Sequence, residues 1–191
     1  MTISILIPST HDRQNMLDTL LMELHRQIHQ CDAGEEVEIL CEIDNYNFTT
    51  GYKRQQLLNK ATGQYCIAID SDDWVYPCYI YELLTAAESN ADCFATNGIY
   101  TIDGQHETQW RLSKDYPNTT IYENGVPVFL RKTNHITGVK REIALKVGFP
   151  DVSQAEDKYY SDGINPFLKT EYLIKPRMYH YRYTTANKRF K

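Results

Sequence analysis

One pattern recurs three times along the first half of the chain and narrows the folds open to it: an apolar run of strand length, a short polar cluster, then apolar residues at helical spacing. Residues 3–8 are such a run, and Ser9-Thr10-His11-Asp12 follows with side chains suited to capping a helix. Leu17, Leu20, Leu21, Leu24 and Ile28 then share one helical face, with Arg13, Asp18, Glu23 and Arg26 on the other. A second strand is expected at 37–43, ending at Asp44, and a second helix from Thr50-Gly51 through Leu57, Leu58 and Ala61 to a stop at Gly63. The third strand, 65–69, runs into Asp70-Ser71-Asp72-Asp73, and Pro77 suits the first turn of a third helix carrying Ile80, Leu83, Leu84 and Ala87. Strand and helix alternating over short connections predict a parallel α/β sheet, whose ligands bind at the carboxyl ends of the strands. Ser9-Thr10, Asp44 and the acids from Asp70 to Asp73 each follow the last apolar residue of a strand, so this fold brings them to one sheet edge.

The second half is less regular. Residues 92–102 and 105–111 read as a hairpin turning at Asp103-Gly104, and 112–127 as a polar loop. A short strand is expected at 133–139, a short helix at 140–147 ending at Gly148-Phe149-Pro150, another helix at 156–168, and extended chain from Tyr172 to Tyr183. No repeat, low-complexity stretch or linker separates two units, and 191 residues with 42% hydrophobic and 24% charged side chains fit one globular domain. The apolar runs fall far short of the ~20 residues that cross a bilayer. The opening Met1 to Pro8 carries no basic leader and reads as the first strand, so export by a signal peptide is not expected. Cys31, Cys41, Cys66, Cys78 and Cys93 lack C-x-x-C spacing and mostly lie in apolar contexts, which predicts reduced thiols in the cytoplasm.

The formal charge of −5 argues against bulk attraction to nucleic acid or anionic lipid, but the charge is unevenly spread. From Lys169 onward seven basic residues face one acid, giving the tail +6 and leaving −11 for the rest. An acidic body with a basic, Tyr-rich tail can gather cations and phosphates in one place; a solvated basic terminus is the simpler alternative. Within Asp70-Ser71-Asp72-Asp73, Asp70 and Asp72 can face the same way in extended backbone, and such oxygens suit Mg²⁺ or Mn²⁺, which complete their shells with water and substrate phosphates. The same acids could instead cap the turn before Pro77.

Pro8-Ser9-Thr10 with Arg13, then Asp44, then Thr50-Gly51-Tyr52-Lys53-Arg54 running to Ala61-Thr62-Gly63-Gln64-Tyr65, then Asp70-Ser71-Asp72-Asp73, resembles in order and spacing the N-terminal half of family 2 glycosyltransferases with the GT-A fold. The resemblance covers residues 3–80. It implies a single compact α/β domain over 1–191, a Rossmann-like mixed sheet flanked by helices, with about 1–100 binding a nucleotide sugar and about 101–191 holding the acceptor and the base. It also implies site residues. Pro8, Ser9, Thr10, Arg13 and Asp44 would hold base and ribose, although Asp44 could merely cap a turn. Asp70 and Asp72, with Ser71, would hold Mn²⁺ or Mg²⁺ and the diphosphate, and Lys53 and Arg54 would reach the nucleotide unless they are helix-surface charges.

In similar enzymes an acidic pair opens a helix after a G-F-x-D-like segment. Here Gly148-Phe149-Pro150-Asp151 precedes Glu156-Asp157, so Asp157 would be the general base that takes the acceptor hydroxyl's proton. A carboxylate also simply suits a helix N-terminus. An in-line attack assisted from the opposite face of the sugar implies inversion at the anomeric carbon. In the tail, His180 and Arg182 share one strand face, and the resemblance makes His180 a metal-side candidate, with Arg182, Lys188 and Arg189 on the diphosphate. Glu156, His135 and Trp74 are acceptor-side candidates; Trp74 and Trp110 could equally be buried packing.

The implied activity is metal-dependent transfer from a nucleoside-diphosphate sugar, a UDP-sugar being favoured. The acceptor is open: a glycan, or a hydroxymethylated pyrimidine in DNA as for short phage-type enzymes, whose site of action would be the host cytoplasm. Interleaved Tyr and basic residues in the tail would suit a nucleic-acid backbone, while the acidic body would not. A sugar-phosphate nucleotidyltransferase is a competing reading, but Pro8-Ser9-Thr10-His11-Asp12 is not the Gly-rich basic loop it needs. A non-catalytic nucleotide-binding module is another.

Overall fold

A computed structural model describes residues 1–185. The expected alternation is present: β1 (Ile3–Thr10), α1 (Gln14–Gln30), β2 (Val37–Asp44), α2 (Thr50–Lys60) and β3 (Tyr65–Ala68) follow in order. β1 pairs in parallel with β2 on one side and β3 on the other, and every residue of β1 is buried, as its unbroken apolar run requires of a central strand covered on both faces. β2, at the sheet's edge, is mostly half-buried. Chain passing from β1 to β2 and back across to β3 puts α1 and α2 on opposite faces of the sheet, and each face has its own apolar core. Leu17, Leu20 and Leu24 of α1 pack with Ile3, Ile5 and Ile7 on one face; Leu57 and Leu58 of α2 pack with Leu6, Cys66 and Ala68 on the other.

After the acids come β4 (Trp74–Val75) and α3 (Tyr79–Glu88), with Pro77 standing before the Cys78 cap and not within the first turn. Buried Gln27 of α1 donates to the Tyr76 carbonyl and accepts from the Ile80 amide, fixing the two helices at this end. β5 (Cys93–Ile102) and β6 (Gln105–Leu112) form the expected hairpin, turning through Asp103 and Gly104 with φ of 51° and 74°.

The stretch 112–127 is not all loop. A second hairpin, β7 (Thr119–Glu123) and β8 (Val126–Arg131), turns at Asn124-Gly125, whose φ values of 52° and 78° are those an Asn-Gly turn favours. Two further expectations shorten: the strand at 133–139 reduces to β9 (Val139–Lys140), and the helix at 156–168 ends at Ile164, Asn165-Pro166-Phe167 continuing as one 3₁₀ turn. Between them α4 (Arg141–Val147) stops at Gly148, φ 69°, and α5 (Glu156–Ile164) follows. The extended tail is two strands, β10 (Glu171–Leu173) and β11 (Tyr179–Tyr183), both parallel to β5.

Eleven strands among the described residues join one sheet, ordered β2-β1-β3-β9-β5-β6-β8-β7, with β10 and β11 on β5 and β4 on β11. The antiparallel two-residue β9 is the joint: it pairs with both β3 and β5, so the parallel first half and the hairpins of the second half share one mixed sheet. All five cysteines are free thiols, and no described helix is long and apolar enough to cross a membrane.

Candidate active site

The carboxyl ends of β1, β2 and β3 bring three polar clusters together, as the sequence predicts. At β1, Pro8 lies buried within the strand, and buried Ser9 donates its hydroxyl to Ser71 Oγ at 2.9 Å. At β2, the Asp44 carboxylate accepts from Lys53 Nζ at 2.7 Å and from the Phe48 amide at 2.7 Å, and Lys53 also donates to the Ser9 carbonyl at 2.7 Å. Lys53 and Asp44 are both buried. Burial pushes the Asp44 carboxyl up, but the Lys53 ammonium and the Phe48 N–H outweigh it and hold the group below the usual carboxylate range. Lys53 is therefore not a surface charge; it ties the ends of β1 and β2 to α2.

Arg54 departs furthest from expectation. Its side chain is 1% exposed, with Nη1 donating to Glu156 Oε1 at 2.6 Å and Nη2 to Asp70 Oδ1 at 2.5 Å. The guanidinium is thus enclosed between two carboxylates and is not a helix-surface charge. Glu156, expected on the acceptor side, is buried against it. Burial would raise the Asp70 carboxyl, yet the Arg54 charge, helped by His135, holds it well below the ordinary carboxylate range. His135 is buried, and its Nε2 stands 3.8 Å from Asp70 Oδ2, beyond hydrogen-bond reach. Neither of its ring nitrogens has a hydrogen-bond partner within the protein.

The remaining acids have separate surroundings. Asp72 is paired with Arg13 at 3.1 Å, both only partly exposed. Asp73 is 3% exposed and accepts from the Tyr179 hydroxyl and the Arg182 amide, each at 2.7 Å. Burial first, then the charges of Asp70 and Asp72, push its carboxyl well above the ordinary value. The Tyr179 hydroxyl in turn accepts from the Asp70 amide at 3.3 Å, so β11 braces the acid loop. Sequence reasoning missed this brace; its traces were the third acid at 73 and the alternation of tyrosines at 179, 181 and 183.

β11 also decides the fate of the tail candidates. Alternation sends His180 to the strand face opposite Tyr179, where Nε2 meets Thr101 Oγ1 at 2.8 Å, so His180 is not brought to Asp70 and Asp72. Arg182 shares that face and lies 5.0 Å over the Trp74 ring. Trp110 is packing, buried edge-on against Tyr179. Lys188 and Arg189 lie outside the described residues.

Asp157 stands in the first turn of α5, half-buried, its Oδ1 accepting from the Lys158 amide at 2.8 Å, and its charge acts on Arg54. The segment before α5 is docked on the start of α2. The Gly51 amide donates to the Val152 carbonyl, Thr49 to Asp151, and the Phe149 amide to Gln55 Oε1. A Cβ at Gly51 would lie 1.8 Å from the Pro150 carbonyl oxygen, so only glycine permits this approach. Ala155, at φ 61°, makes the tight entry into α5 in a left-handed conformation that costs about 1–2 kcal/mol.

Among the described residues no three His, Cys, Asp or Glu side chains form a ready-made metal cage. Asp70 and Asp72 nevertheless fit a cation such as Mg²⁺ or Mn²⁺, which needs one or two carboxylates and takes its other oxygens from water and phosphate. Of the two, Asp72 has its carboxylate on the half-exposed Arg13, whereas Asp70 has one oxygen committed to the buried Arg54.

Residues 43–148, from the end of β2 to the end of α4, match the family described as Glycosyl transferase family 2. The Bacillus subtilis (strain 168) protein named "Putative glycosyltransferase EpsH" is 25% identical over 151 residues, covering 73% of this chain and 43% of that protein. Among solved structures, S. aureus TarS 1-349 in complex with UDP superposes with a TM-score of 0.71 at 13% identity, over 95% of this chain and 60% of that one. TarS 1-349 in complex with UDP-GlcNAc gives 0.66 at 15% identity, over 95% and 58%. The chain thus spans less than two thirds of the length of these relatives. The sheet has the GT-A arrangement of those structures, and the family match takes in Asp44, Lys53, Arg54, the acid loop and His135. By fold and by a match over more than half its length, this chain belongs to glycosyl transferase family 2.

Proposed function

We propose that the chain transfers a sugar from a nucleoside-diphosphate sugar, a UDP-sugar by preference, to an acceptor hydroxyl with inversion at the anomeric carbon. The observation that carries the reading is that Asp70 of the acid loop and Glu156 of α5 meet at one buried arginine, with Asp157 next to Glu156 in the same helical turn, so a phosphate-side acid and a candidate base are held close to one side chain. UDP follows from the nucleotide in the TarS structures.

In the mechanism, the ends of β1 and β2, held by Lys53, form the floor for base and ribose. Arg13 supplies a cation at the diphosphate end. Asp72 and Asp70 would hold Mn²⁺ or Mg²⁺, which when bound offsets charge on the departing nucleoside diphosphate. Asp157 accepts the acceptor hydroxyl's proton as the oxygen attacks the anomeric carbon and the bond to the diphosphate oxygen breaks. His135, buried with both ring nitrogens unmet by protein, offers a hydrogen bond on the acceptor side of Asp70.

A panel of UDP-, dTDP- and GDP-sugars, with and without Mn²⁺, tests this by nucleoside diphosphate release in the presence of glycans or of hydroxymethylated DNA. Asp157→Asn is expected to lower turnover about a hundredfold or more while UDP affinity by calorimetry stays unchanged, and proton NMR of the product should show the inverted anomer. Full turnover in Asp157→Asn would remove the base assignment. A protein that binds no nucleotide or nucleotide sugar under any metal condition would end the whole reading.

A further inference from the structure

Nothing about sugar transfer demands that Arg54 be buried, yet its guanidinium is 1% exposed and sits at the meeting point of three elements. It is carried by α2, one Nη grips the loop after β3, and the other grips the first turn of α5, at a residue 102 positions away along the chain. Asp70 and Glu156 are both acids, and without a cation between them they would repel across a partly dry space. The Asp157 charge acts on the same guanidinium. Arg54 lies 5.9 Å over Phe149, whose ring stacks on Tyr160 of α5, so the ring that follows Gly148 packs against the side chain as well.

A buried ion triad of this kind is poor evidence for stability, because apolar side chains of the same volume avoid the desolvation cost. What the triad supplies instead is direction. The planar fork of an arginine fixes two carboxylates at set angles, which a lysine ammonium on a flexible stem cannot do. We infer that Arg54 is a positioning residue: it sets the acid loop that carries Asp70 and Asp72 and the helix start that carries Asp157 at one fixed separation, and so couples the donor side of the site to the base. The inference rests on the glycosyltransferase reading for its consequence in turnover, but the coupling itself is a property of the fold. Arg54 touches no substrate; it acts through Asp70 and through α5.

The test compares wild type, Glu156→Gln, Arg54→Lys and the apolar double variant Arg54→Met with Glu156→Leu. Hydrogen exchange reads the coupling without any substrate. Glu156→Gln changes only α5 yet is expected to speed exchange of the amides at 70–73, and Arg54→Lys to speed exchange at both 70–73 and 156–158, with β1 and α1 unaffected. Unchanged exchange at 70–73 in Glu156→Gln and in Arg54→Lys overturns the inference. Turnover of UDP-glucose and UDP-N-acetylglucosamine reads the consequence. Arg54→Lys is expected to lose about a hundredfold in kcat while donor KM moves by no more than about threefold, the signature of misplacement and not of lost donor binding. The double variant, which removes Arg54 and Glu156 but leaves the Asp70 carboxylate without its cation, is expected to regain neither the full thermal midpoint nor kcat; wild-type kcat in it would show that the site is set without the arginine fork and overturn the inference. A wild-type protein that turns over neither donor and binds no UDP would instead remove the functional reading, while the exchange measurement still decides the coupling.

Discussion

Asp44, Asp70 and Asp73 share one side-chain chemistry, and their neighbours shift their carboxyls in opposite directions. Asp73 is buried, accepts among the described residues from the neutral Tyr179 hydroxyl and Arg182 amide, and has two acids nearby, so its carboxyl is pushed up. Asp70 faces Arg54 and is held down. Asp44, buried but gripped by Lys53 and the Phe48 amide, is also held down, so its ionised form stabilises the fold above its unfolded value and that contribution is lost as pH falls through the folded value. Asp44→Asn is therefore expected to lose about 1–3 kcal/mol at pH 7, with the gap from wild type closing in denaturant titrations as pH falls below the ordinary carboxylate value through the lower folded one. Lys53→Met removes the cation and strands a buried carboxylate; about 3–5 kcal/mol is expected, read from the same titrations. Neither residue's identity in the sequence told which role it would take: a Lys-Arg pair on a helix reads as surface charge, and only the packing of α2 against the strand ends turned both inward.

At the scale of elements, the docking of the 148–152 segment onto α2 sets where α5 begins. Gly51→Ala would drive a methyl against the Pro150 carbonyl, a backbone atom with little room to give. A loss of about 1–3 kcal/mol or more is expected in thermal unfolding, with UDP-sugar turnover falling further than stability alone explains, because α5 must shift. Ala155 offers the opposite case. Its left-handed φ of 61° suits glycine, so Ala155→Gly is expected to leave the thermal midpoint unchanged or raise it, by about 0.5–1 kcal/mol at most. A clear fall would show that the Ala155 methyl packs in a way the backbone angle does not reveal. The β7–β8 hairpin shows how an element escaped a reading by composition: Asn124-Gly125 was the signal, but β7 is polar and exposed and β8, apolar and carrying Pro127, is mostly half-buried, so neither shows the polar–apolar alternation that marks a strand.

At the scale of the whole molecule, the tail strands complete the sheet. Ile174, Met178 and Tyr179 are at most 1% exposed, β11 lies along β5, and Tyr179 covers Asp73 and the Trp110 ring. Deleting everything after Leu173 uncovers that core and strips both hydrogen bonds from Asp73, so the shortened chain is expected to lose near-UV circular dichroism and cooperative melting; a sharp transition would show that β5 and β6 close the core alone. The parallel first half was legible residue by residue because local rules fix it: unbroken apolar runs make buried strands, 3.6-residue spacing makes the covering helices, and the crossover places polar strand ends on one edge. The sequence by itself thus determined the alternating frame, the edge where Ser9, Asp44 and Asp70 gather, and the acidic start of α5. Which of these charges are paired inside the fold was set by tertiary packing alone. Arg54 went to Asp70 and Glu156, Lys53 to Asp44, and His180 to the far face of β11, because those pairings join residues distant in sequence and depend on how helices and strands stack, which no local pattern records.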